Sequence, residues 1–160
     1  MTNDCLRVAL LGCGNVGTGV VDVLARNDQV ITERAGIPIR MVGIAVRDLN
    51  KPRSQAVDRR LLTDDAAALI RRAEVDCVAE CIGGLDPAYE LVLAALEAGK
   101  SVVTSNKELV ARRGKSLFGA ADAKGVDLLF EGSVAGGIPV IHALKESLAA
   151  NEIEEIVGIE

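Results

Sequence analysis

Aromatic side chains are almost absent: the 160 residues contain no tryptophan, one tyrosine and two phenylalanines, 2% of the chain against 49% hydrophobic residues overall. The core must therefore be built from Val, Leu, Ile and Ala, as expected for a parallel sheet covered by helices on both faces. A basic surplus is missing too. The formal net charge of −5 argues against a general nucleic-acid binder, which would show a basic surface. No apolar run approaches the length of a membrane span, and the N-terminus has none of the regions of a secretory signal. A cytoplasmic protein, away from membranes, is the default expectation. Histidine occurs once, at His142, so a zinc site would need an unusual ligand set. The four cysteines, Cys5, Cys13, Cys77 and Cys81, form no Cys-x-x-Cys pair and are expected as buried, reduced thiols.

What the chain does have is a glycine pattern after an apolar run. Residues 7–11 (Arg-Val-Ala-Leu-Leu) read as a buried strand, and Gly12, Gly14 and Gly17 follow in G-x-G-x-x-G spacing. Apolar side chains at Val16, Val20, Val21, Val23 and Leu24 then keep a mainly helical period. A glycine turn without a ligand is the bland alternative, but strand, turn and helix together make a dinucleotide-binding fingerprint the better reading. Gly12 permits the tight turn, Gly14 lets the backbone approach a pyrophosphate, and Gly17 lets helix and strand pack closely. Asn15 and Val16 stand at the helix N-terminus, whose N–H groups and positive dipole end favour phosphate.

The rest of the chain alternates in the same manner. Residues 27–38 read as a helical extension and loop, 39–46 as a strand, 47–53 as a charged loop, and 64–73 as a short helix with Thr63 as candidate N-cap. A strand over 75–82 ends in Gly83 and Gly84, and the next helix starts at Pro87 and stops at Gly99. A strand over 100–104, a helix over 117–124, a strand over 126–131, a helix from residue 136 to about 150 and a final strand over 153–159 complete the pattern. The alternation predicts an α/β, Rossmann-like fold, a doubly wound and mainly parallel sheet with helices on both faces. Residues 1–150 would form the dinucleotide-binding domain, and 151–160 the start of a connection to a substrate domain.

Ligands of open α/β sheets bind outside the carboxyl ends of the strands. At the second strand end Arg47 arrives where an acid would bond a ribose 2′-hydroxyl, with Asp48, Lys51 and Arg53 close behind. Such a cluster could pair a 2′-phosphate, which favours NADP with NAD as the alternative. Lys51 and Arg53 are nearly as well read as a solvated loop. Gly83 and Gly84 could admit a ribose or nicotinamide, or simply form a turn. Thr104 and Asn106 could cap a following helix, with Ser105 between them and Lys107 directed into the cleft. On the residues alone an exposed lysine in the first turn of a helix is the better reading of Lys107, although a cation is electrostatically unfavourable there and so calls for a reason. His142, among apolar neighbours and without an identifiable carboxylate partner, is better read as structural than as a catalytic acid.

These segments together resemble homoserine dehydrogenase. The resemblance runs through residues 12–20 (Gly-Cys-Gly-Asn-Val-Gly-Thr-Gly-Val), Val46-Arg47-Asp48, Ile82-Gly83-Gly84, residues 102–107 (Val-Val-Thr-Ser-Asn-Lys) and residues 130–139 (Phe-Glu-Gly-Ser-Val-Ala-Gly-Gly-Ile-Pro). It covers essentially the whole chain, but only the cofactor domain of that family. It implies reversible NAD(P)-dependent reduction of aspartate 4-semialdehyde to homoserine, on the route to threonine and methionine. It also implies that Lys107 lies at the active site and supplies the proton. By the same resemblance Glu131, Val134, Gly136 and Ile138 would offer carbonyl ligands to a monovalent cation, sodium, and the full-length protein would be a homodimer. Ser105 and Gly132 stand where alanine is common in the family. The family's second lysine and acidic substrate ligands have no counterpart in these 160 residues, so the chain alone is expected to bind cofactor without turnover. Another amino-acid-pathway dehydrogenase or reductase, or a stand-alone dinucleotide-sensing module, are the alternatives; no helix-turn-helix pattern supports a repressor.

Overall fold

The computed structural model describes residues 4–158. In chain order the elements are β1 (Leu6–Leu11), α1 (Asn15–Arg26), α2 (Asp28–Ala35), β2 (Ile39–Ala45), β3 (Leu62–Thr63), α3 (Ala66–Arg71), β4 (Cys77–Glu80), α4 (Ala88–Glu97), β5 (Ser101–Thr104), α5 (Lys107–Lys124), β6 (Leu128–Leu129) and α6 (Val140–His142). The six strands form one sheet in the order β3-β2-β1-β4-β5-β6, and every pairing is parallel. The chain crosses from one side of β1 to the other between β3 and β4. The carboxyl ends of β1 and β4 are therefore the point where strand order reverses, the place at which such sheets open a ligand crevice. The fold is the Rossmann-like α/β arrangement that the alternation of apolar runs predicts.

Period-two alternation along the strands divides the core into two layers. Ala9, Leu11, Val78, Val102 and Leu128 pack with Leu69 of α3, Val92 and Leu96 of α4, and Leu109 and Leu117 of α5. Leu10 and Ile44 face the other way, onto Val21 of α1 and onto Val57 and Leu61 of the connection leading to β3. Helices thus lie on both faces, but unequally. On the α1 side, Val103 and Leu129 remain 41% and 51% exposed, so the described residues leave the β5–β6 half of that face uncovered.

Several elements differ from the sequence expectation. The short helix begins at Ala66, and its cap is Asp65, whose carboxylate accepts the Ala68 N–H; Thr63 instead accepts the N–H of Asp65. Leu62 and Thr63 form an edge strand preceded by a 3-10 turn at Arg59–Leu61, where no strand was expected, because two residues carry no period. The helix read over 117–124 starts earlier, at Lys107, and runs for 18 residues, with Asn106 as its cap as the sequence suggests. The helix expected over 136–150 is a single α-turn at Val140–His142 followed by a π-turn at Ala143–Ser147. Residues 153–158 form no strand, with Val157 91% exposed; an apolar run without a neighbouring strand has nothing to pair with, and residue 159 lies outside the described residues. The thiols are all unpaired, but only Cys77 is buried. No helix among the described residues is long and apolar enough to cross a membrane.

Candidate functional site

The glycine turn connects β1 to α1 in a conformation its residue types dictate. Gly12 has φ +90, and a Cβ there would lie 2.8 Å from the Cys81 carbonyl oxygen, because β1 and β4 run side by side at this point. A Cβ on Gly17 would overlap the Gly12 carbonyl oxygen and touch Leu10. Gly14 is different: no atom lies within 4 Å of where its Cβ would stand. It is the N-cap of α1, with φ −84 and ψ −152, and no side chain bonds the first turn, which also lacks an acidic residue. By contrast Asp65 caps α3 and Asn106 caps α5 through side-chain oxygens. The first N–H groups of α1 beside Asn15 and Val16 are thus left open at an exposed surface, and a helix start without a side-chain cap fits a phosphate group.

At the end of β2, Arg47 is exposed and makes no hydrogen bond or ion pair among the described residues. The loop behind it is folded on itself. Arg53 donates to the carbonyls of Lys51 (2.7 Å) and Asp48 (2.8 Å), Arg59 donates to the carbonyl of Leu49, and the Asp48 carboxylate accepts the Asn50 N–H. Arg53 therefore serves the loop, and of the basic cluster Arg47 and Lys51 remain exposed.

The ends of β4 and β5 are joined by a buried polar network. Glu80, fully buried, accepts the N–H groups of Ile82 (2.7 Å) and Gly83 (3.2 Å) on one oxygen and the Thr104 hydroxyl on the other. Thr104 in turn accepts the Asn106 N–H, and the Asn106 amide donates to the Gly84 carbonyl at 2.6 Å while its oxygen caps α5 at Leu109. Ser105 donates its N–H to the Glu80 carbonyl. Gly83 and Gly84, at φ +80 and +71, are held by this network beside the Thr104–Lys107 segment. Lys107 opens α5 as an exposed residue. The signal for Glu80 was in the sequence: one acid inside the apolar run over 75–82, at a position where a parallel strand is covered on both sides.

The next strand end lies against the same network. Ser133 donates its hydroxyl to the Thr104 carbonyl (2.9 Å), and Glu131 accepts the N–H groups of Ile141 and His142 on its two carboxylate oxygens. The Glu131 and Ile138 carbonyls each take one hydrogen bond, from the N–H groups of Val134 and Val140. The Val134 and Gly136 carbonyls take none among the described residues. His142 is not enclosed by apolar side chains: it is exposed, 3.6 Å from the Glu146 carboxylate on the π-turn that follows. Near the turn, burial pushes the Cys81 thiol up to about 11, and the same cause does so for Cys77. Neither is poised as a nucleophile. The two most evident cavities, about 310 Å³ beside α1 and β2 and about 470 Å³ along α5, include none of the predicted site residues; those residues line an open edge instead.

Comparison with known proteins accounts for this arrangement. The family model for the homoserine dehydrogenase NAD-binding domain matches residues 12–131. The homoserine dehydrogenase of Corynebacterium glutamicum is 51% identical over 156 residues, which cover 98% of this chain and 35% of that protein. That of Mycobacterium tuberculosis is 43% identical over 152 residues, covering 95% and 34%. The crystal structure of a homoserine dehydrogenase from Thiobacillus denitrificans superposes with a TM-score of 0.84 at 52% identity, over 91% of this chain and 34% of that one. The chain thus spans about a third of the length of these relatives. Glycine turn, parallel sheet and sequence agree, and the chain belongs to the homoserine dehydrogenase NAD-binding domain family.

Proposed function

We propose that this chain binds NADP along the carboxyl edge of its sheet and forms the cofactor half of a reductase converting aspartate 4-semialdehyde to homoserine, in threonine and methionine biosynthesis. The observation that carries the reading is the glycine turn itself: Gly12 and Gly17 bring β1, β4 and α1 into close approach, and at Gly14 the first N–H groups of α1 open onto clear space with no side-chain cap, unlike those of α3 and α5. Gly12, Gly14, Asn15, Val16 and Gly17 hold the pyrophosphate. Arg47 pairs the 2′-phosphate, which makes NADP the better ligand and NAD the weaker one. Gly83, Gly84, Thr104 and Ser105 receive the nicotinamide half. The bound nicotinamide supplies the hydride that adds to the aldehyde carbon. Lys107 donates a proton to the aldehyde oxygen as charge develops on it, the task of a positioned general acid. Carbonyls of Glu131, Val134, Gly136 and Ile138 take a monovalent cation, sodium, beside this edge; the free carbonyls of Val134 and Gly136 suit a hard ion.

In this reading residues 1–150 are the dinucleotide-binding unit of a cytoplasmic homodimer, and the remaining length of the relatives supplies the substrate wall. The 160 residues alone bind cofactor without turnover. Titration of the chain with NADPH and NADH, followed by nicotinamide fluorescence, tests the reading. Arg47→Ala should weaken NADPH by about 1–3 kcal/mol, the range for a charged hydrogen bond, and leave NADH nearly unchanged. Equal losses would remove the phosphate contact, and an unaltered chain that binds neither nucleotide would refute the reading altogether.

A further inference from the structure

Glu80 is a carboxylate with no exposed surface, set in a parallel strand whose neighbours are Leu11 and Thr104. No Lys, Arg or His lies within ion-pair distance of it among the described residues. An apolar side chain would fill such a position without the desolvation penalty of a buried charge. The carboxylate is instead matched by three donors, the N–H groups of Ile82 and Gly83 and the hydroxyl of Thr104. Every one of them belongs to a segment at the carboxyl edge. At the opposite edge the residue before β4, Asp76, is tied to Arg7 of β1 by a partly exposed ion pair, whereas none of the side-chain bonds of Glu80 goes to β1. What Glu80 joins is the turn after β4 to the turn after β5.

We infer that Glu80 is a positioning residue for the nicotinamide half of the cofactor site, acting through Thr104 and through the N–H groups of Ile82 and Gly83 that lead into the Gly83–Gly84 turn. It rests on the cofactor reading above and adds to it a division of labour. The glycine turn after β1 holds the phosphates without help from Glu80, whereas the two segments assigned to the nicotinamide are held in register by it. Through Thr104 and Asn106 the same carboxylate fixes the first residue of α5, which is Lys107.

The division predicts a selective defect. NADPH and 2′-phospho-ADP-ribose, which lacks the nicotinamide, are titrated against the 160-residue chain and its variants, with thermal melts alongside. Glu80→Gln keeps the side-chain shape but leaves one acceptor oxygen where two are used, so an NH2 group must face either the Thr104 hydroxyl or the N–H groups of Ile82 and Gly83. It should weaken NADPH about tenfold, the scale of one charged hydrogen bond, and leave 2′-phospho-ADP-ribose within about twofold. Thr104→Val, which leaves Glu80 ionisable but severs the link, should reproduce that pattern, and Thr104→Ser should restore binding. The double variant Glu80→Gln/Thr104→Val should lose less than the sum of the two single losses, because residues acting as one unit are not additive. Unchanged NADPH affinity in Glu80→Gln, parallel loss of both ligands, or additive losses would each overturn the assignment. Failure of the unaltered chain to bind either ligand is a different result: it removes the cofactor reading, and Glu80's role with it.

Discussion

Two glycines of one fingerprint should respond to the same substitution in opposite ways. At Gly17 an added Cβ overlaps the Gly12 carbonyl oxygen. The opposing group is backbone, which cannot swing aside as the end of a side chain can. Alanine gains about 1 kcal/mol of helix propensity over glycine, but overpacking costs about 1–3 kcal/mol or more. With a rigid partner the upper end applies, and the net loss is about 2 kcal/mol. For a domain of this size that lowers Tm by about 4–8 °C. At Gly14 the space is open and the backbone sits at φ −84, so alanine is accommodated. The weaker N-cap and the less flexible unfolded chain nearly offset, leaving stability within about 1 kcal/mol. What alanine does at Gly14 is occupy the approach to the N–H groups of α1. Melts followed by circular dichroism and NADPH titrations on both variants give the comparison: Gly17→Ala destabilised, Gly14→Ala stable but unable to bind. A Gly14→Ala variant that binds NADPH as well as the unaltered chain would refute the assignment of that space to the pyrophosphate.

The Cys77 and Cys81 thiols, one buried and one half-buried, predict an alkaline limit to stability. Burial raises Cys77 and Cys81 from 9.0 to about 11 in the fold, so their neutral forms favour folding; the unfolded chain ionises first, and stability is complete below pH 9 and lost as pH rises toward about 11. Melts across that window should show a falling Tm, with a shallower slope in Cys77→Val. Lys100 donates its ammonium group to the carbonyls of Val75 (2.6 Å) and Arg72 (3.2 Å), tying the start of β5 to the end of α3. Lys100→Met should cost about 1 kcal/mol, or about 2–4 °C in Tm, and leave nucleotide affinity unchanged.

The parts of the fold legible in the sequence are those in which one local signal suffices. Strand β1 and helix α1 were plain because an apolar run, three spaced glycines and a helical period follow one another over residues 7–24. The edge strand at Leu62–Thr63 was not, since two residues pairing with Ile44 and Ala45 carry no pattern of their own. The start of α5 was legible only as a cap, Asn106, and not as a period. Its first turns are held by the Asn106 cap and by tertiary contacts of Leu109, which is fully buried, while charged residues at 107, 108, 112, 113 and 115 blur the apolar stripe. Over residues 136–150 local signals misled. A Gly-Gly-Ile-Pro start and apolar spacing predict a helix over the whole stretch, but α6 begins only at Val140, where the Glu131 carboxylate accepts its first N–H groups, and it passes into a π-turn that ends at Ser147. Site residues followed the same division. Residue types at strand ends located the edge, but the polar network behind it depends on which strands are neighbours. Glu80 and Thr104 are 24 positions apart in the chain and meet only because β4 pairs with β5.

The energetics of α5 give the sharpest test of Lys107. A cation beside the N-terminus of a helix opposes its dipole by about 0.3–1 kcal/mol, and Lys107 is the first residue of an 18-residue helix. It is exposed and makes no hydrogen bond or ion pair among the described residues, so nothing in the fold offsets that term. Glu108, the acid that suits this end, is paired instead with Arg112 at 3.2 Å. Replacing Lys107 with Gln removes the charge and keeps most of the length of the side chain. It should raise the Tm of the chain by about 1–4 °C at low salt, and the gain should shrink as salt screens the dipole. A residue whose removal stabilises the fold is one the fold does not need, as expected of a group retained for chemistry at the expense of local preference. A lower Tm in Lys107→Gln would mean that the lysine supports the turn after β5, and the energetic argument for a proton donor at that position would be gone.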